Sequence, residues 1–127
     1  MSSGSQLFLR CDAEAAHLAR RAVADRYPRL APAVRDDVSL LVTELVTNAV
    51  RHGDIAPDRS IRVDFECDGG LLKVQVVDPG TEFAAPPLPS GGDGSGGWGL
   101  FLVDRIAQRW GVRPAASGTC VWFELPA

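Results

Sequence analysis

From Pro32 to His52 the apolar residues keep returning every three or four positions. Val34, Val38, Leu41, Val42, Leu45, Val46 and Ala49 fall on one continuous arc of a helical wheel. A helix with so broad an apolar stripe holds only when a second layer covers it. Pro32 suits a first helical turn and Gly53 a helix stop, which fixes the ends of the element. Asn48 and then Glu44 border one edge of the arc, stacked one turn apart. An amide and a carboxylate in that position sit where core meets solvent, as the wall of a pocket does.

The covering layer is legible downstream. Ile61, Val63, Phe65 and Cys67 alternate with Arg62, Asp64 and Glu66, and Asp68-Gly69-Gly70 then turns the chain into a second strand, Leu71 to Asp78. Ahead of the long helix, a short strand is expected over Gln6 to Cys11. Asp12 follows as N-cap of an Ala-rich helix ending near Tyr27-Pro28. Leu100, Val103, Ile106 and Ala107 predict a helix over Trp98 to Arg109. Strands over Trp110 to Arg113 and Thr119 to Leu125, joined near Ser117-Gly118, complete the chain. The expected fold is an α+β two-layer sandwich, a mostly antiparallel sheet with helices on one face, formed by a single domain over residues 1–127.

Composition narrows the class. A chain of 127 residues with 46% hydrophobic and 23% charged side chains buries enough surface to fold without staples and is too apolar for disorder. The formal charge of -3 speaks against a direct nucleic-acid role. Cys11, Cys67 and Cys120 show neither metal spacing nor a disulfide framework and read as small apolar residues of a reduced protein. No stretch is apolar enough to span a bilayer, and the polar start lacks a signal peptide's regions, so no membrane association and a cytoplasmic location are expected.

Two further features carry chemistry. Asp78 shares a strand face with Leu72, Val74 and Val76, the face that meets the helices. An ionised carboxylate there needs hydrogen-bond donors, and the exocyclic amine of a purine is a suitable one. Gly80 beyond it has no side chain to obstruct a flat base. Gly96-Gly97-Trp98-Gly99-Leu100 opens the last helix, where free backbone amides and absent side chains favour an approaching phosphate chain. Between these features, residues 79–97 are dense in Pro, Gly and Ser and read as a long loop.

Glu44-Leu45-Val46-Thr47-Asn48-Ala49-Val50-Arg51-His52-Gly53, Asp78-Pro79-Gly80 and Gly97-Trp98-Gly99-Leu100, in that order, resemble the adenine-nucleotide motifs of the GHKL superfamily with its Bergerat ATP-binding fold. The short length and the Arg51-His52-Gly53 ending resemble, within it, the anti-sigma-factor serine kinases of the RsbW and SpoIIAB type. Gly118 to Phe123 is similar to the family's closing strand. The resemblance implies that Asn48 coordinates Mg2+ on the phosphates of ATP or ADP and that Glu44 is a general base. It implies that Asp78 takes the adenine amine, that Thr119 bonds near the base, and that Gly80, Gly97 and Gly99 shape the pocket, with His52 and Leu100 at its border. Residues 79–97 become an ATP lid. The implied partners are a sigma factor or a STAS-domain antagonist of the anti-sigma factor, and the implied assembly is a homodimer.

The sequence departs from that pattern at two places. Residues 81–97 contain no Lys or Arg, whereas kinases of the family commonly place a basic residue there to meet the terminal phosphate. Cys120 stands where relatives often have Thr. Two functions therefore stay open, an ATP-dependent serine/threonine kinase acting on a STAS antagonist and a non-catalytic regulator that sequesters its partner. A detached histidine-kinase catalytic domain ranks behind both, because no phosphoacceptor helical hairpin precedes the motifs. His52 closes its helix, where a cation suits the dipole. His17, Arg20, Arg21 and Arg26 read as a solvated helix face, and Trp98, Trp110 and Trp122 as core or interface anchors.

Overall fold

A computed structural model describes residues 3–52, 60–78, 98–115 and 118–127. Its elements are β1 (Ser3–Arg10), α1 (Ala15–Arg26), α2 (Pro32–His52), β2 (Ser60–Asp68), β3 (Leu71–Asp78), α3 (Trp98–Ile106), β4 (Arg109–Ala115) and β5 (Gly118–Pro126). The strands form one antiparallel sheet in the order β1-β2-β3-β5-β4. The three helices lie on one face of it, so the α+β two-layer architecture expected from the sequence is the one observed.

The core follows from two periodicities meeting. Val38, Leu41, Val42, Leu45, Val46 and Ala49 of α2 are buried against the inward residues of the sheet, among them Ile61, Val63, Phe65, Leu72, Val74 and Phe123. The β2–β3 turn is built on Gly69 and Gly70, whose φ angles of 61° and 80° only glycine adopts without strain; two successive positive φ values are the signature of a tight hairpin turn matched to strand twist.

Three boundaries differ from the sequence reading, each for a local reason. Asp12 does not cap α1. Its carboxylate accepts from the Glu14 amide at 2.9 Å in a preceding turn, and helical bonding starts only with Leu18 N donating to the Glu14 carbonyl at 3.0 Å. Strand β1 begins earlier than Gln6, paired with β2 from Ser3 onward. Helix α3 stops at Ile106 instead of running to Arg109. After Ala107 N bonds to the Val103 carbonyl at 2.8 Å, Gln108 N donates instead to the Glu124 carbonyl of β5 at 2.9 Å, so the sheet captures the chain. Pro114 within β4 is tolerated because β4 is an edge strand.

The other face of the sheet carries a polar cover. Lys73 Nζ sits 4.9 Å from the centre of the Trp122 ring, Arg113 donates to Gln75, and Arg62 pairs with Asp64 at 3.2 Å. Arg26, expected on the solvated face of α1, is half-buried instead. Its Nε donates to Ser5 Oγ at 2.9 Å and its guanidinium lies 5.6 Å from the Phe65 ring centre, tying the end of α1 to β1 and β2. His17, Arg20 and Arg21 are exposed, as expected.

Candidate functional site

Strand register brings together two of the residues singled out in the sequence. Asp78, the last residue of β3, is paired directly with Thr119, the second of β5. Opposed residues in an antiparallel pair project to the same face with Cβ atoms about 5 Å apart. That face is the helix-covered one, since Leu72, Val74 and Val76 precede Asp78 on it, and Val121, Phe123 and Leu125 follow Thr119. Thr119 is 5% exposed and Asp78 half-buried. A hydroxyl and a carboxylate therefore stand side by side at one end of an otherwise apolar layer.

Helix α2 delivers the next pair to the same end. Leu30 and Ala31, just before α2, line a cleft with Cys67, Gly70 and Ala127, which places the start of the helix at the opposite end of the sheet from Asp78. The helix packs on β3. At about 1.5 Å rise per residue, Asn48 lies about 24 Å along α2 from Pro32, while at about 3.3 Å per residue Asp78 lies about 23 Å along β3 from Leu71. Asn48 is thus level with the Asp78–Thr119 pair, and Glu44 sits one turn, about 6 Å, behind it. Both side chains are half-buried at the edge of the core, as the helical wheel required.

Helix α3 completes the helical layer. Its C-terminal end is tied to Glu124, at the far end of β5 from Thr119, and the helix packs against α2 and β4. Leu100 is 7% exposed and belongs to the core, and Gly99 precedes it within the helix. His52 ends α2, with its imidazole outside the described residues. Gly80, Gly97 and the segment 79–97 expected as a lid also lie outside them.

One neighbour of this site was not anticipated. The Cys11 thiol is pushed above its ordinary value by burial first, then by the carboxylates of Asp78 and Asp12, so Cys11 lies within electrostatic reach of Asp78. The signal was partly available in the sequence, where Cys11 keeps the parity of Leu7 and Leu9 one residue beyond the end of β1. The other thiols behave as expected for small apolar side chains: Cys120 is buried, Cys67 is half-buried, and all three are free. Among the described residues no cluster of three His, Cys, Asp or Glu side chains forms a metal cage. The amide oxygen of Asn48 is a hard donor suited to a cation that takes its remaining ligands from phosphates and water.

The sequence model of the histidine kinase-like ATPase domain matches residues 10–125. The chain belongs to this family. The matched domain is an ATPase domain, which implies nucleotide binding. A crystal structure of the RsbU and RsbW domains of Rv1364c from Mycobacterium tuberculosis matches with a TM-score of 0.76 at 20% identity, over 98% of the present chain. The chain spans 32% of that protein's length, and the likeness is one of fold. No curated protein sequence matches. No helix among the described residues is long and apolar enough to cross a membrane.

Proposed function

We propose that the chain is an ATP-binding regulator that acts as an anti-sigma factor, forms a homodimer in the cytoplasm, and transfers the terminal phosphate of ATP to a serine or threonine of a STAS-domain antagonist. The observation that carries the nucleotide reading is the Asp78–Thr119 pair at the end of the helix-covered face, level with Asn48 on α2. Asp78 accepts from the exocyclic amine of adenine, and the Thr119 hydroxyl bonds beside it. A charged acceptor facing a neutral donor contributes about 1.5–3 kcal/mol, enough to select adenine over purines lacking the amine. Gly80, Gly97 and Gly99 leave room for the base and the phosphates, with Leu100 and His52 at the border.

Asn48 is the protein ligand for Mg2+, which when bound neutralises phosphate charge. Glu44 is the general base. It takes the proton of the acceptor hydroxyl as that oxygen attacks the terminal phosphorus and ADP departs. Its place one turn from Asn48 keeps base and metal ligand on one side of α2.

The absence of Lys and Arg from residues 81–97 favours a second reading on the same fold, in which nucleotide binding sets the partner-binding state and no phosphate is transferred. Calorimetric titration with Mg2+ and ATP or ADP tests the pocket. Wild type binds, and Asp78→Asn and Asn48→Ala weaken binding; unchanged affinity in both variants contradicts the proposal. Incubation with labelled ATP and a STAS-domain protein then separates the two readings, since stoichiometric phosphoserine on the partner eliminates the non-catalytic one.

A further inference from the structure

Helix α3 is nine residues long, shorter than the roughly 12–15 residues at which an isolated helix becomes marginally stable, so docking decides where it sits. Leu100 and Val103 bury one side of it, and Leu102, Ile106 and Ala107 are partly buried against the same core. The backbone bonds at Ala107 and Gln108 fix where the helix ends. They leave its roll about its own axis to the side chains. On β4, Trp110 lies opposite Phe123 on the helix-covered face, and its indole Nε1–H donates to Asp104 Oδ1 of α3 at 3.0 Å. This bond reaches across the turn that leaves the helix and joins the last full turn of α3 to the sheet beneath. Asp104 is exposed and Trp110 half-buried, so the carboxylate is held at the rim of the indole while the ring packs inward.

We propose that Trp110 and Asp104 are positioning residues for the phosphate end of the nucleotide, setting the roll of α3 and so where around the helix axis the amides of its first turn, which point along that axis, are placed. This rests on the nucleotide reading above and adds two residues that touch neither base nor phosphate. The base contacts at Asp78 and Thr119 come from β3 and β5 and do not depend on α3. Loosening the latch therefore weakens the part of the affinity due to phosphates and spares the part due to adenosine. A residue that merely stabilises the fold weakens both alike.

The test compares wild type, Trp110→Phe, Asp104→Ala and Asp104→Asn, measuring ATP with Mg2+ by calorimetry and adenosine by displacement of a fluorescent adenine nucleotide. Trp110→Phe keeps the aromatic packing and the net charge while removing the donor. It weakens ATP by about three- to tenfold, the span of one net hydrogen bond, and leaves adenosine unchanged. Asp104→Ala does the same although it removes a negative charge, which by itself would favour a polyanion. Asp104→Asn keeps an acceptor oxygen and restores ATP affinity to within about twofold of wild type. Equal weakening of ATP and adenosine, or no weakening of either, overturns the proposal, and Asp104→Ala reports on it should Trp110→Phe fold poorly. A wild-type protein that binds neither ligand overturns the nucleotide reading itself, a result visible before any variant is compared.

Discussion

Thr119 and Cys120 are consecutive, both buried, and on opposite faces of β5, which makes them a controlled pair. Thr119 is 5% exposed and paired with Asp78 under the helices, whereas Cys120 is 2% exposed and its sulfur lies 3.7 Å from Gln75 Oε1 on the other face. Thr119→Val exchanges a hydroxyl for a methyl at nearly constant shape. A buried methyl contributes about 0.8 kcal/mol and valine suits a strand, so the nucleotide-free protein is as stable as wild type or more so by up to about 1 kcal/mol. The lost hydroxyl removes one neutral hydrogen bond to the base, about 0.5–1.5 kcal/mol, or about two- to tenfold in affinity. Stability and affinity therefore move in opposite directions. Thr119→Ser separates the two the other way, keeping affinity within about twofold while losing about 1 kcal/mol of burial. Cys120→Val, one residue along, leaves affinity alone. Urea unfolding and calorimetric titration of ADP on the three variants give the two axes. Wild-type affinity for Thr119→Val, or an equal loss in Cys120→Val, refutes the assignment of faces on which the site is built.

Two other substitutions probe the frame around the site. A Cβ built on Gly111 falls 2.8 Å from Trp122 Nε1 and 2.9 Å from Cε2, so Gly111→Ala displaces a ring that also holds Lys73 and destabilises the protein by about 1–3 kcal/mol in urea unfolding, while ADP affinity stays at the wild-type value because the clash is on the uncovered face. Burial and the Asp78 carboxylate both hold the Cys11 thiol above its ordinary value of 9.0, so at pH 8 it is mostly protonated and slow to alkylate. Asp78→Asn removes one negative charge, lowers that value and speeds iodoacetamide labelling of Cys11 as followed by mass spectrometry, and an unchanged rate places the two groups apart. The same raised thiol makes the fold more proton-loaded than the unfolded chain above pH 9.0, so its contribution to stability is full below that pH and is lost as the pH climbs through the folded value.

Much of the layer plan was readable because local rules and global packing agree in α2 and in the β2–β3 hairpin. The arc from Val34 to Ala49 has one way to be buried, and Gly69-Gly70 has one kind of turn to make. Asp78 could be assigned to the helix side from strand parity alone. What a linear reading could not supply was its partner. Thr119 is far along the chain, and only the order β3-β5-β4, with its register, sets it beside Asp78. The helical spacing of Ile106 and Ala107 overstates the length of α3, because the competitor, the Glu124 carbonyl taking the Gln108 amide, is a tertiary contact. Arg26 looked solvated for the same reason, since Ser5 and Phe65, which hold it, are distant in sequence. The half-buried setting of Glu44 and Asn48 was legible because their place at the edge of the apolar arc is local to one helix.

ADP and inosine diphosphate differ in the purine's exocyclic amine, the group assigned to Asp78. Calorimetry of wild type with each, in Mg2+, is predicted to show ADP bound about 10- to 100-fold more tightly, the equivalent of one hydrogen bond to a charged acceptor. In Asp78→Asn the gap narrows as ADP affinity falls. Equal affinities for the two nucleotides in wild type, or a full gap surviving in Asp78→Asn, would contradict the placement of the adenine against Asp78.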